Sequence, residues 1–563
     1  MLNTIAQIVL VPSEINELDQ TTSIPRQPSP THSPQQDIQH RDPEPIDEAY
    51  TTGVDETSVT YPNNSNVNQR IQSIAGNDNF ALSSSEPTAL NTTSPASTAS
   101  GNLYSAEVAP LRWLNLLRRD ATAFETHPQN QDFSGSDANN NADLDRLTSL
   151  VDITTADVSD ARGRQDESYN IEGHLELTDL ESKLLRHFIE RISSWIDLTD
   201  RDASFASNVP TMALTNRGLM LAILALSSRH QSLLTTTNDL DKSDRTAAVQ
   251  YYHETLQYLQ TAMALPEYLK SEELLATVLL ISTYEMIDGF ESGWDRHLKG
   301  VFWIQRSQLI HGEYGGLKQA IWWAWLRQDM WAAFRGRRVI LSFYTLKKEC
   351  LELNRWELTN RVVWLLGQCI SFGSDSEVEA GKKNVQQRIH RAAFLTARLD
   401  EWWFYFAPYR TKLPTEWPQT SAFKPIWINP PSCSESRHDD NVCLSTKHIG
   451  AAVQIHYFAR IMLAVYSPAV SGLKELERLH QTLHDAVDCI GGIACTTTDA
   501  AAVIISTQCL FAAGLNTRDP TQRDQIVNLL QAHQSRTGWP VNDLAQDLQA
   551  EWALDTSSMS ART

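Results

Sequence analysis

The segment SEELLATVLLISTYEMID, residues 271–288, is apolar around nearly its whole circumference when it is written as a helix. Ser271 is a favourable N-cap, and Glu272 and Glu273 place negative charge in the first turn, where the helix dipole favours it. A helix that is apolar on all sides is normally buried. The segment therefore predicts a helix at the centre of an all-helical fold.

Other segments with helical spacing lie on both sides of this one. Thr178 and Glu181 form a capping-box pattern that predicts where the helical body begins. The remaining predicted helices cover residues 218–234, 246–265, 292–308, 315–338, 385–406, 447–465, 472–490 and 499–514. We expect a charged loop near 371–383 and a Pro- and Trp-rich connection after 406. Runs of strict alternation are absent, so the sequence predicts an all-α, irregular multi-helix domain over 175–555.

The first 170 residues differ in composition from the rest. They contain 24 acidic residues, nine arginines and no lysine, so they carry −15 of the net charge of −21. Ser, Thr, Asn, Gln and Pro dominate residues 1–105, and such a segment cannot bury enough apolar surface to offset its ordering entropy. We expect a disordered acidic leader over 1–170. One short amphipathic helix is predicted near 110–124, either docked on the body or serving as an activation or partner-binding helix.

Composition and motifs exclude several functions. The acidic balance argues against non-specific binding to nucleic acid or to an anionic membrane, and no run of eighteen apolar residues would span a bilayer. The seven cysteines begin at Cys350 and form no C-x-x-C pair, which is typical of reduced intracellular thiols. No nucleophile elbow, phosphate-binding loop or zinc-binding pattern occurs. We therefore expect no catalytic residues, no metal ligands and no enzyme activity.

Two groups of residues in 292–338 stand out. The first is a set of tryptophans expected in the core rather than in a ligand site: Trp322, Trp323, Trp325 and Trp331. The second is a set of charged and polar residues that we expect to form a structural polar network between two helices: Asp295, Arg296, His297, Arg327, Asp329 and Arg335. Charges placed among apolar residues must be paired, because an unpaired buried charge costs several kcal/mol. A change in this network could shift the register of the helices.

The string LLATVLLISTYEMIDGFESGWDRHLKGVFWIQRSQ, followed by GGLKQAIWWAWLRQDMWAAFRGRR, resembles the fungal-specific transcription factor regulatory domain. It is similar to the subgroup related to regulators of arginine metabolism, in the zinc-cluster transcription factor family. Residues 184–210, 221–230, 459–468 and 538–552 resemble other parts of that domain in the same order. The resemblance covers about 175–554.

The resemblance implies a nuclear transcription regulator whose helical domain senses an effector or dimerises, and which controls a metabolic or biosynthetic gene set. Partners would be a homo- or heterodimer with related factors, and co-regulators or transcription machinery bound through the leader. Such proteins carry six cysteines that hold two zinc ions, whereas this chain has no cysteine before Cys350. We therefore expect no zinc and no DNA-binding residues in this chain. An alternative is a modulator that heterodimerises with intact zinc-cluster factors without binding DNA.

Overall fold

The structure is a computed structural model of the 563-residue chain, and it describes residues 106, 108–126, 168–234, 240–288, 294–429, 446–468, 472–539 and 542–560. These described residues all belong to one compact unit. Of the predicted leader over 1–170, residues 1–105, 107 and 127–167 lie outside them.

The described residues are almost entirely helical, which confirms the predicted all-α class. The helices, numbered in chain order, are α1 Val108–Thr126, α2 Asp179–His187, α3 Ser204–Ala213, α4 Arg217–Leu234, α5 Leu240–Ala262, α6 Glu272–Asp288, α7 Trp294–Ser307, α8 Gly316–Arg335, α9 Arg355–Phe372, α10 Asp375–Lys383, α11 Val385–Phe406, α12 Thr446–Tyr466, α13 Leu473–Ala494, α14 Ala500–Gly514, α15 Pro520–Thr537 and α16 Asn542–Ser560. A π turn at Phe188–Ile192 and short helical turns at Ser193–Ile196 and Asp197–Thr199 continue α2. Strands β1 Thr411–Leu413 and β2 Trp427–Asn429 form an antiparallel pair in the connection before α12.

Local capping explains where several helices begin. The hydroxyl of Thr178 accepts from the backbone N–H of Glu181, whose carboxylate accepts from the backbone N–H of Thr178, so the predicted capping box is present. Asn354 makes the same kind of box at the start of α9. Asp519 caps α15, with Pro520 at its first position.

The predicted loop near 371–383 is wrong. Residues up to Phe372 complete α9, and the next residues form α10. The hydroxyl of Ser374 accepts from the backbone N–H of Glu377 and caps α10, while Asp375 and Glu377 complement its dipole. The charges that suggested a loop are therefore the exposed side chains of a surface helix.

The centre of the first part of the fold is α6. Fourteen of its seventeen residues are buried, which confirms the placement predicted from residues 271–288. Helices α4, α7 and α8 pack against it. Helix α8 is also mostly buried and contacts α9, so it joins this part of the fold to the second.

The centre of the second part is α12, which is covered by α9, α13 and α14. Among the described residues, α12 is the one helix long and apolar enough to cross a bilayer, but 78% of its apolar window is buried inside the protein. Such burial is typical of a core helix. Phe334 near the end of α8 packs edge-on against Phe458 of α12, with ring centroids 4.8 Å apart, so the two centres are continuous.

Helix α1 docks on the body, at the position where the sequence predicts a short amphipathic helix. Trp113, Leu114 and Leu117 are buried, and α1 packs mainly on α7. The approach is close, because a Cβ atom added at Gly300 would lie 2.4 Å from Cδ1 of Trp113. A glycine at this position of α7 therefore leaves the space that the indole of Trp113 occupies.

Candidate functional site

The six predicted network residues lie on α7 and α8, as expected. Asp295 is half-buried and Arg296 is exposed in the first turn of α7, while His297 is buried. Arg327, Asp329 and Arg335 lie on α8. The contacts of His297, Arg327, Asp329 and Arg335, taken one at a time below, run to different parts of the fold.

Arg327 is enclosed by the turns that follow α2. Its Nη1 atom donates to Oγ1 of Thr199 at 2.6 Å, and its Nη2 atom donates to the carbonyl oxygens of Ile196 at 2.5 Å and Trp195 at 3.3 Å. The side chain is almost wholly buried, and burial lowers its pKa to about 10. A guanidinium that satisfies the free carbonyls of a helix end locks α8 to the start of the body.

Asp197 supplies negative charge near this arginine. Its carboxylate accepts from the backbone N–H groups of Phe205 and Ala206, each at 2.9 Å, and so caps α3. Burial raises the pKa of Asp197 to about 7, against the opposing effect of these hydrogen bonds and of Arg327. The carboxyl group of Asp197 therefore changes between its neutral and charged forms near neutral pH.

Asp329 fixes the chain that leaves α8. One carboxylate oxygen accepts from Nη2 of Arg338 at 2.6 Å, and the other accepts from the backbone N–H of Leu341 at 2.6 Å. The carboxylate is fully buried, and burial raises its pKa. Both oxygens are thus engaged by the segment just after the helix.

Arg335 reaches the last helix. Its Nη2 atom lies 2.5 Å from Oδ2 of Asp547 on α16, and its guanidinium lies 4.7 Å from the ring centroid of Phe511. Both members of this ion pair are partly exposed. The contact therefore adds orientation at the surface more than stability.

His297 belongs to a group of buried residues, joined by the partly buried Arg229, that we call the inner polar cluster. It comprises residues of α4, α5, α6 and α7, namely Arg229, Tyr252, Tyr284, Glu285, Asp288 and His297. Nδ1 of His297 lies 2.6 Å from Oε2 of Glu285, and the hydroxyl of Tyr252 donates to Oε1 at 2.9 Å. One carboxylate on α6 thus connects α5 and α7.

The second carboxylate of the inner polar cluster lies one turn further along α6. Nε of Arg229 is 2.5 Å from Oδ1 of Asp288, and Nη2 of Arg245 is 3.6 Å from Oδ2. Burial raises the pKa of Asp288, and the two arginines oppose this effect. The buried hydroxyl of Tyr284, whose pKa is also raised by burial, has no hydrogen-bond partner among the described residues. Charge in this cluster is therefore concentrated at the end of α6.

The inner polar cluster connects helices through buried hydrogen bonds and ion pairs. Tyr252, Glu285 and His297 are at most 5% exposed, so in this conformation no substrate reaches them. Each carboxylate is held between groups from two different helices. A rearrangement of the four helices would therefore have to break or exchange these bonds.

A second buried contact joins the two ends of the described body, and sequence reasoning missed it. Nε2 of His187 lies 2.8 Å from Nδ1 of His230, and Nε2 of His230 lies 2.7 Å from the carbonyl oxygen of Thr537. Because a carbonyl only accepts, Nε2 of His230 carries the proton, and Nδ1 accepts from His187. Burial lowers the pKa of His230 to about 4. No spacing rule connects residues 187, 230 and 537, so the sequence held no signal for this contact.

The predicted core tryptophans differ in burial. Trp322 and Trp325 are completely buried and Trp323 is 5% exposed. Trp331 is only partly buried, and its ring meets Phe511 edge-on at 5.8 Å between centroids. Trp331 thus lies at the margin of the core, at the end of α8 that contacts the second part of the fold.

The described residues contain no group of three or more His, Cys, Asp or Glu side chains that could hold a metal ion. Their five cysteines are free thiols. Burial raises the pKa of Cys369 to about 12 and that of Cys350 to about 11. Thiols held in the protonated form are poor ligands and poor nucleophiles. Cys433 and Cys443 lie outside the described residues.

The fold and the site thus define an all-helical domain in which two carboxylates of α6 connect the neighbouring helices α4, α5 and α7. Residues 183–310 match the family model described as "Fungal specific transcription factor domain", which confirms the predicted resemblance to that domain over these residues. The matched residues run from α2 to just beyond α7 and contain the whole inner polar cluster.

A curated relative agrees with this match. The chain is 23% identical over 494 residues to a protein named Transcription activator AMTR1 from Alternaria alternata, an alignment that covers 66% of this chain and 63% of the relative. The chain therefore spans less than two thirds of the length of that relative. No solved structure matches the chain.

Proposed function

We propose that this chain is a transcription regulator whose helical domain is the regulatory part. The observation that supports this most strongly is the position of the family match, because residues 183–310 include the buried centre of the first part of the fold. In this proposal the helices α4–α7, held by the inner polar cluster, form the element that responds to an effector or partner.

The regulatory response follows from the way in which the cluster is built. Glu285 and Asp288 lie one turn apart on α6, and each is bonded to other helices. An effector or partner that binds one arrangement of these helices more tightly would shift the population toward that arrangement. A buried charge without a partner is costly, so only arrangements of these helices in which both carboxylates are paired would be populated. The helices would therefore change between distinct arrangements rather than continuously.

Several finer features belong to the same proposal. The chain acts in the nucleus on a metabolic or biosynthetic gene set, and its 563 residues bind no zinc, make no direct contact with DNA and catalyse no reaction. It pairs with a second copy or with a related factor. The acidic leader, which carries −15 of the net charge, binds co-regulators or the transcription machinery.

A tethering assay tests the proposal. The full chain is fused to a heterologous DNA-binding domain, and expression of a reporter with the matching site is measured. We expect at least a several-fold change in reporter expression, and we expect His297→Leu to alter it because Glu285 loses a buried partner. The matched control is His480→Leu, the same substitution at an exposed position of α13.

Two outcomes bear on the proposal in opposite ways. A change in the reporter only when an intact zinc-cluster factor is co-expressed would favour the modulator that acts through heterodimers. A stable fusion that leaves the reporter unchanged in both settings would contradict a role in transcription.

A further inference from the structure

Helix α1 lies across two helices that are also connected inside the protein. It packs mainly on α7 and also contacts α5. These two helices supply groups that are bonded to Glu285, because Tyr252 lies on α5 and His297 lies on α7. The two helices are therefore connected twice, by one carboxylate inside the body and by α1 on its surface.

The contact between α1 and α7 lies about one turn from the inner polar cluster. The indole of Trp113 occupies the space beside Gly300, and Gly300 follows His297 by three residues on α7. Residues three apart on a helix are neighbours on its surface. A movement of α7 that changes its contact with Trp113 therefore also changes the position of His297 relative to Glu285.

Apolar contacts hold α1 on the body, and two hydrogen-bond donors oppose its docking. Trp113 and Leu117 are completely buried, and Leu114 is 2% exposed. The buried Nε1 atom of Trp113 and the buried Nη2 atom of Arg112 have no hydrogen-bond partner among the described residues. A buried donor without an acceptor costs free energy, whereas water would satisfy both donors if α1 were released. The docked state is therefore less stable than its apolar contacts alone would make it.

We infer that α1 is a detachable regulatory helix whose docking is coupled to the inner polar cluster. The docked helix and the two bonds of Glu285 stabilise the same arrangement of α5 and α7. Withdrawal of α1 by a partner therefore weakens those bonds. A change in the cluster equally favours release of α1, because coupling between two contacts is reciprocal.

The position of α1 in the chain allows it to leave the body without another helix. The next helix, α2, begins only at Asp179 and packs on α4 rather than on α1. The inference rests on the proposed regulatory role of the cluster, but its test measures the release of α1 and not transcription. A chain with no effect on a reporter can still show the coupling, so the failure of one proposal is distinguishable from the failure of the other.

Limited digestion of the full chain with trypsin tests the coupling. The peptide bonds after Arg118 and Arg119 lie within α1, and a protease cuts a helix only after the helix unfolds locally. We expect Tyr252→Phe to raise the rate of this cleavage about tenfold, because the docked arrangement loses a hydrogen bond to a carboxylate. The matched control is Tyr258→Phe, the same substitution on α5, where the hydroxyl donates to the carbonyl oxygen of Tyr169. Cleavage that is no faster in Tyr252→Phe than in the control would overturn the inference.

Chemical modification tests the coupling in the opposite direction. Diethyl pyrocarbonate acylates accessible imidazoles, and His297 is only 4% exposed while α1 is docked. We expect Leu117→Ala, which removes a completely buried contact of α1, to raise the rate of modification of His297 several-fold. Leu111→Ala is the control, because Leu111 is 38% exposed on the same helix, and the 2% exposed His230 of α4 is the reference within each molecule. Faster cleavage of α1 in Leu117→Ala without faster modification of His297 would show that the two contacts are independent and would contradict the coupling.

Discussion

Nη2 of Arg338 lies 2.6 Å from Oδ1 of Asp329, a carboxylate that is completely buried, while 19% of the arginine side chain remains exposed to solvent. The pair closes the turn that follows α8, and the second oxygen of Asp329 accepts from the backbone of Leu341. The helix that joins the two parts of the fold therefore ends at a neutralised buried charge.

Removal of the arginine should be costly because it leaves that charge without its partner. We expect Arg338→Met to lower the free energy of unfolding by about 3 kcal/mol, measured by urea denaturation. Adding Asp329→Asn to Arg338→Met should cost less than the sum of the two single changes. Arg337→Met is the control, because its pair with Asp375 is exposed and should contribute under about 1 kcal/mol. An unchanged urea midpoint for Arg338→Met would contradict this assignment.

The tryptophans of α8 should differ in their contribution to stability. Trp322 is completely buried, so Trp322→Ala should destabilise the protein by about 3–5 kcal/mol. Trp331 is only partly buried, so Trp331→Ala should cost less than half as much. Thermal and urea unfolding of both variants measure the difference. Equal losses would mean that Trp331 is a core residue, as the sequence alone suggested.

Acid should weaken the contact between His230 and His187, because the added proton would occupy Nδ1 of His230, the atom that accepts from His187. The pKa of His230 is about 4 in the folded protein and about 6.5 when unfolded, so protonation favours the unfolded state as pH falls from 6.5 toward 4. This histidine alone should remove about 2 kcal/mol between pH 7 and pH 5. Urea unfolding at both pH values should show a smaller acid loss for His230→Asn than for the wild type. Identical losses would show that His230 does not titrate in this range.

The docking of α1 should depend on the absence of a side chain at residue 300. We expect Gly300→Ala to displace Trp113, because the new Cβ atom would lie 2.4 Å from the indole Cδ1. Gly450→Ala is the control, since its Cβ atom would make only an ordinary contact at 3.7 Å with Ile493. Limited proteolysis should release α1 faster from the Gly300 variant. Equal rates of release would argue that α1 docks without close packing on α7.

The helices could be predicted wherever apolar spacing was regular. The limits of α11 agree with the predicted 385–406, and α6 was placed correctly at the centre. Helices α9 and α15 were not predicted although the capping residues Asn354 and Asp519 marked their starts. Each of these capping residues directly precedes its helix, so the starts of both helices could have been predicted from the sequence.

The polar contacts could not be predicted in the same way. Arg327 is bonded to carbonyl oxygens about 130 residues earlier in the chain, and no periodicity encodes which backbone groups a buried guanidinium will meet. The partner of His297 was also missed, because Glu285 was read as part of an apolar helix. Sequence spacing predicts which residues share a helix, whereas these partners depend on how helices cross.

The bond from His230 to Thr537 spans 307 residues of the chain, which has a consequence for synthesis. Ribosomes add roughly 5–20 residues per second, so about 15–60 seconds separate the emergence of α4 from that of the end of α15. During that interval the ring of His230 and the indole of Trp195 beside it lack the covering that the finished protein gives them. A nascent chain of this protein would therefore expose an aromatic surface that chaperones can bind until translation is nearly complete.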